Sequence, residues 1–117
     1  MHEFNIAQTI VDSVLAELKK VNEPNLKLIT TRVVIGKLRS IVPDYLQFAY
    51  ENLSKGTPVE GSKLEVVSPP LNGTCLQCGW TGELKAALFE CPSCKSTRGK
   101  LNSGRELYLE NLEIEHD

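Results

Sequence analysis

Near the start of the chain, apolar residues recur at the spacing of one helical face. Phe4, Ala7, Ile10, Val11, Val14, Leu15, Leu18 and Val21 carry the stripe, and Asp12, Glu17, Lys19 and Lys20 fall between them. This predicts an amphipathic helix over residues 4–21. Asn22-Glu23-Pro24-Asn25 stops it and turns the chain. Residues 26–35 are rich in β-branched side chains and read as a strand that ends at Gly36. Pro43 suits the first turn of a second helix, with Asp44 beside the positive end of its dipole. That helix places Tyr45, Leu46, Ala49, Tyr50 and Leu53 on one side, and Gly56 is the expected C-cap. Residues 63–67 alternate weakly, as a second strand would. After Ser103-Gly104 a last strand runs over residues 105–115. Leu107 and Leu109 keep one phase and Leu112 and Ile114 the other, which predicts a bulge near Glu110-Asn111. This strand needs an edge to pair with, and the sheet built by residues 26–67 is the host.

Between the second and last strands lies a stretch of different character. Pro69-Pro70 and Asn72-Gly73 lead into Cys75, Cys78, Cys91 and Cys94, the only cysteines of the chain. A two-residue gap turns both sulfurs of a pair toward one point, and two such pairs joined by a short hairpin put four thiolates on a tetrahedron. That geometry and softness suit a structural Zn²⁺. Gly79 after the first pair and Pro92 within the second supply tight turns. The alternatives are two disulfides or four free thiols. Trp80 and Phe89 are expected to shield the metal knuckles and form the core of this small ribbon rather than to stack on bases.

Composition sets limits. The chain has 117 residues, 41% of them hydrophobic, with a net charge of −2. That is room for one modest core plus a small metal-stapled unit. No apolar run approaches the roughly eighteen residues of a membrane span, and no basic stretch followed by an apolar core marks a signal peptide. Cysteines committed to metal fit a reducing cytoplasm. A slightly acidic chain argues against a dedicated nucleic-acid binder. Four cysteines leave zinc no open position for catalysis, and no Ser/His/Asp or Cys/His set is present, so no enzyme is expected.

The chain opens Met1-His2-Glu3. A terminal residue of this kind is usually frayed, and Glu3 reads as a solvated charge or as a group behind the ligands. Yet a free α-amine, the amide nitrogen of the next residue and an imidazole can close adjacent chelate rings on one ion. Ionised amide nitrogen fits square-planar Ni²⁺ or Cu²⁺. The only other histidine, His116, is expected to be a solvated tail residue.

These features together resemble the HypA/HybF family of nickel metallochaperones for [NiFe]-hydrogenase maturation. The resemblance is carried by Met1-His2-Glu3, the amphipathic helix, Val34-Ile35-Gly36-Lys37-Leu38, the Pro43 helix and Gly56-Thr57-Pro58-Val59-Glu60-Gly61. The paired cysteines and the stretch from Gly104 to Glu115 complete it. It implies an α+β fold, a small three-stranded sheet with two helices and an inserted zinc-ribbon-like domain. Residues 1–69 and 105–117 would form a discontinuous nickel-binding domain, and residues 70–104 the zinc-binding one. Ni²⁺ would be held by His2 with backbone nitrogens of Met1, His2 and Glu3, and structural Zn²⁺ by Cys75, Cys78, Cys91 and Cys94. The implied partners are a HypB-type GTPase, the [NiFe]-hydrogenase large-subunit precursor and, in some relatives, urease maturation proteins, with no nucleic acid and no membrane. The competing reading is a nucleic-acid-binding zinc-ribbon protein. The ribbon has no histidine, so a thiolate-to-histidine ligand exchange there is not expected.

Overall fold

A computed structural model describes residues 2–21 and 23–116. Helix α1 covers His2–Val21, strand β1 Leu26–Ile35, helix α2 Pro43–Ser54 and strand β2 Lys63–Val67. Strands β3 Leu71–Cys75, β4 Thr81–Leu84 and β5 Gly99–Leu101 follow, and β6 spans Leu107–His116. The fold is α+β, with two three-stranded sheets ordered β2-β1-β6 and β4-β3-β5. Among the described residues no helix is long and apolar enough to cross a membrane.

The chain divides into two compact units. The first comprises Met1–Val34, Ile41–Val67 and Tyr108–Asp117, the second Ile35–Ser40 and Ser68–Leu107. The short stretch after β1 thus groups with the cysteine-bearing residues, whereas the sequence reading left it with the first helix and strand.

In the first unit β1 and β2 run parallel, with Thr31 opposite Leu64 and Val34 opposite Val67. A parallel pair needs a crossover, and α2 supplies it. β6 adds to the other side of β1, as its need for an edge predicted. Its burial changes phase as foreseen: Leu107, Leu109, Leu112 and Ile114 are half-buried, while Glu110 and Asn111 are both exposed. The core is built from Ile6, Ala7, Ile10, Val11 and Val14 of α1, Leu28 and Val33 of β1, and Leu46, Ala49 and Tyr50 of α2. Tyr50 keeps its hydroxyl satisfied by Thr31 at 2.9 Å and Ser62 at 2.5 Å. That removes the cost of burying it.

Three expectations about the helix faces need correction. Phe4, Val21 and Tyr45 belong to the expected apolar faces, yet they are 42%, 37% and 55% exposed. The buried face of α1 comprises Glu3, Ile6, Ala7, Ile10, Val11 and Val14, so Ala7, Ile10, Val11 and Val14 keep the expected stripe while its N-terminal end is Glu3 rather than Phe4. Ile6, absent from the sequence stripe, belongs to it.

In the second unit β3 is the central strand, antiparallel to β4 and β5, with Gly73 opposite both Gly82 and Leu101. Residues 37–39 form a single 3-10 turn that hydropathy does not reveal. Gly36 N–H donates to Glu106 O and Leu38 N–H to Gly104 O, both at 2.8 Å. The backbones approach so closely that a Cβ on Gly36 would fall on the Gly104 carbonyl. Gly104, at φ 118°, is itself overlain by Leu38 and Leu71.

Candidate metal centres

The second unit brings its four cysteines to one point. One sulfur from each of Cys75, Cys78, Cys91 and Cys94 lies within 4.8 Å of all the others. Cys75 ends β3 and is fixed by its N–H to Trp80 O at 2.7 Å, and Cys91 by its N–H to Ser96 O at 2.9 Å. From each, the chain curls back in the same way. Gly79 N–H returns to Cys75 O at 3.1 Å, and Lys95 N–H to Cys91 O at 2.9 Å. Both turns need a positive φ, 82° at Gly79 and 65° at Lys95. Inside each turn amides point at sulfur: Gln77 and Cys78 N–H at Cys75 Sγ, 3.3 and 3.4 Å, and Cys94 N–H at Cys91 Sγ, 3.4 Å. Cys75 and Cys91 are buried; Cys78 and Cys94 are exposed.

These amides set the charge state. Donation from Cys78 N–H, aided by Gln77 and opposed by burial, pulls the Cys75 thiol down to about 6. At Cys91 burial pulls upward, but the Cys94 and Ser93 amides outweigh it and the thiol is lowered. Cys94 goes the other way, up to about 12. The Ser96 amide lowers it, but burial and the three neighbouring sulfurs together prevail. Four sulfurs this close cannot all ionise alone. A dication held by the four sulfurs would supply the missing charge and favour their common deprotonation. Four soft, convergent donors with amides already aimed at sulfur fit a tetrahedral Zn²⁺.

The aromatic residues of the ribbon lie where glycines leave space. The Trp80 ring covers Gly82 and the Phe89 ring covers Gly99. Both are half-buried, and the deepest positions of the ribbon belong to Leu71, Leu84, Cys75 and Cys91. The expectation that Trp80 and Phe89 supply the core of this unit is therefore only partly right. Seated on backbone, their rings do not stand free for bases.

The second candidate lies at the start of α1. His2 is already helical, so the helix begins before the sequence stripe does. Met1 lies outside the described residues. Glu3 is 5% exposed, not a solvated charge. Its Oε2 accepts the Val42 N–H at 2.9 Å and lies 3.8 Å from His2 Nε2. Val42 is the N-cap residue of α2 and brings no side-chain cap of its own. Glu3 thus supplies the negative charge that the positive end of α2 favours. Donation from Val42 N–H and from its own backbone N–H, with help from His2, holds its carboxyl below the ordinary value despite desolvation. Periodicity missed this residue because a carboxylate occupies the apolar line. The available signal was indirect: a Pro43 helix preceded by Val42 lacks a capping residue and needs one from elsewhere.

His116 closes β6, and its Nδ1 lies 2.6 Å from Glu23 Oε2. The residue is exposed, as expected, but stands within hydrogen-bond reach of Glu23 rather than apart from the fold. The four cysteines are the one group of three or more metal-ligating side chains found together among the described residues.

Residues 1–114 match the family described as "Hydrogenase/urease nickel incorporation, metallochaperone, hypA". The chain is 39% identical over 120 residues to the hydrogenase maturation factor HypA of Lawsonia intracellularis, covering 98% of this chain and 100% of that one. It is 33% identical over 123 residues to HypA of Methanocaldococcus jannaschii, covering 100% and 99%. The solution structure of the Ni metallochaperone HypA from Helicobacter pylori shares the fold, with a TM-score of 0.66 at 21% identity over the whole of both chains. A second solution structure of a HypA protein gives 0.70 at 20% identity.

Proposed function

Since the chain belongs to the HypA family of hydrogenase/urease nickel-incorporation metallochaperones, we propose that it binds one Ni²⁺ at its N-terminus and hands it on during [NiFe]-hydrogenase maturation. The observation that carries this reading is the His2–Glu3 pair at the first turn of α1. Nickel is cargo here. The Met1 amine and the His2 amide nitrogen close a five-membered ring on the ion, and the same amide with His2 Nδ1 closes a six-membered one. The Glu3 amide can serve as a further nitrogen donor once its N–H is withdrawn from the Glu3 carboxylate. Glu3 Oε2, 3.8 Å from His2 Nε2, favours the tautomer that carries its proton on Nε2. That leaves Nδ1 for the metal. The first turn of a helix offers N–H groups that the helix itself does not use, so ionising one there breaks no helical bond.

Cys75, Cys78, Cys91 and Cys94 hold Zn²⁺ as a closed structural ion in the second unit, while the first unit carries the nickel. Four thiolates exchange slowly; an amine and an imidazole are protonatable and release their ion. The partners are a HypB-type GTPase and the hydrogenase large-subunit precursor, with urease maturation proteins as a further client, in a cytoplasm that keeps the thiols reduced.

Equilibrium dialysis of Ni²⁺ against the zinc-loaded, tag-free protein tests the reading. The expected result is about one nickel per chain, the stoichiometry of a single chelate. It should be lost in His2→Ala and weakened by an extra residue ahead of Met1, with zinc content unchanged in both. Unchanged nickel affinity in both variants overturns it.

A further inference from the structure

The long strand β6 ends the first sheet: the order β2-β1-β6 leaves its outer edge without a partner strand among the described residues. Its ten residues contain no proline or glycine to interrupt pairing. Such an edge offers a row of N–H and C=O groups to another strand. Beside it, the last turns of α1 and the strand enclose a groove of about 420 Å³, walled by the apolar Leu18, Val21, Leu109, Leu112 and Ile114 and bordered by Glu17, Glu110 and Asn111. The other face of the strand is acidic at Glu113 and Glu115, and Glu110, at the change of phase, borders the groove as well. Glu110 stands 3.9 Å from Arg32, and Glu113 also acts on that guanidinium. Arg32, however, gives its close hydrogen bonds, 3.0 and 2.8 Å, to Glu65 on β2. One arginine thus serves three carboxylates, and Glu115 lies further along the same exposed row.

We propose that the outer edge of β6 receives an extended segment of a partner protein in which apolar and basic residues alternate. The two faces of β6 dictate that pattern. A strand laid beside it continues both faces, so every second side chain enters the groove against Leu112, Ile114, Leu18 and Val21. The intervening ones stand across from Glu110, Glu113 and Glu115, where lysine or arginine is favoured and like charge is penalised. The same rule excludes a second copy of this chain. β6 against β6 would set glutamates against glutamates with no cation between them. The proposal goes beyond nickel binding and does not depend on it.

The test uses the zinc-loaded full chain and a synthetic peptide of alternating lysine and valine, eight residues long. Two controls are an alternating glutamate–valine peptide and a lysine–valine peptide N-methylated at every second residue. N-methylation keeps the charge and removes the hydrogen bonds of one edge. Amide resonances and hydrogen exchange are followed by NMR. The expected result is slowed exchange confined to residues 108–115, with shifts there and in the last turn of α1. Both controls should fail to bind. Glu110→Lys combined with Glu113→Lys should weaken binding by about tenfold or more, since it reverses two facing pairs. Equal binding of the N-methylated peptide, or shifts spread over acidic residues of α2 such as Glu51, would mean non-specific attraction and overturn the proposal. So would the absence of binding, or protection of β6 by self-association at high protein concentration.

Discussion

The Glu3 carboxylate accepts the Val42 N–H at 2.9 Å across 39 residues of chain. The first turn of one helix thereby caps the start of the other. This bond ties the residue next to the proposed nickel ligand to the start of α2.

The bond has a pH signature. Glu3's folded carboxyl lies below its ordinary value of 4.5, held there first by the Val42 amide. A depressed carboxylate contributes stability in full above its unfolded pKa and loses it as pH falls through the folded one. Thermal melts of the native chain should therefore fall below about pH 4.5 more steeply than those of Glu3→Gln. Above that pH Glu3→Gln should melt lower, by a margin independent of pH. Parallel melting curves across the acid range would contradict this.

Trp80 is the only tryptophan, and its ring is seated on Gly82, so its fluorescence reports on the ribbon alone. Stripping the metal with a strong chelator should shift its emission to the red. A module with so few buried apolar side chains folds through its ion. Far-UV circular dichroism from α1 and α2 should persist, because their core lies in the other unit. Loss of both signals together would show that the two units do not fold separately.

The residue that closes each cysteine knuckle is glycine in the first and lysine in the second, both with positive φ. Nothing stands within 4 Å of a Cβ at Gly79, so Gly79→Ala meets no clash, only backbone strain. It should cost about 1 kcal/mol. Lys95→Gly removes similar strain but adds freedom to the unfolded chain, so its net effect should stay within about 1 kcal/mol of zero. Chelator competition followed by Trp80 emission measures both.

Leu46 is fully buried between the helices and the sheet of the first unit. Truncation to alanine removes that contact and leaves a cavity, at a cost of about 2–5 kcal/mol in denaturant unfolding. Zinc content should not change. A variant that loses zinc along with stability would place Leu46 in the wrong unit.

What could be read from the sequence divides along a physical line. The bounds of β1 and β2 follow from β-branched runs closed by glycine and proline punctuation, which are local causes. The cysteine cluster follows from spacing alone, and the phase change in β6 from counting apolar positions across Glu110-Asn111. What escaped was set by distant partners. Glu3 is buried because its carboxylate finds Val42. Tyr45 turns outward because Leu46, Ala49 and Tyr50 already fill the helix face. The turn at residues 37–39 exists because Leu38 reaches Gly104. Hydrophobic periodicity carries no record of such pairings.

The closeness of Gly36 to Gly104 bears on how the protein can be cut. A fragment of residues 70–104 would lack the amides of Gly36 and Leu38, and the seat that Leu38 occupies over Gly104 would lie open to water. The ribbon is thus a two-piece object whose smaller piece precedes it in the chain by a whole helix and strand. The shortest continuous polypeptide that holds both pieces runs from Ile35 to Leu107. It must carry α2 and β2 as passengers, stripped of the core they were made to cover. Grafting this ribbon into another scaffold therefore requires two insertion points rather than one.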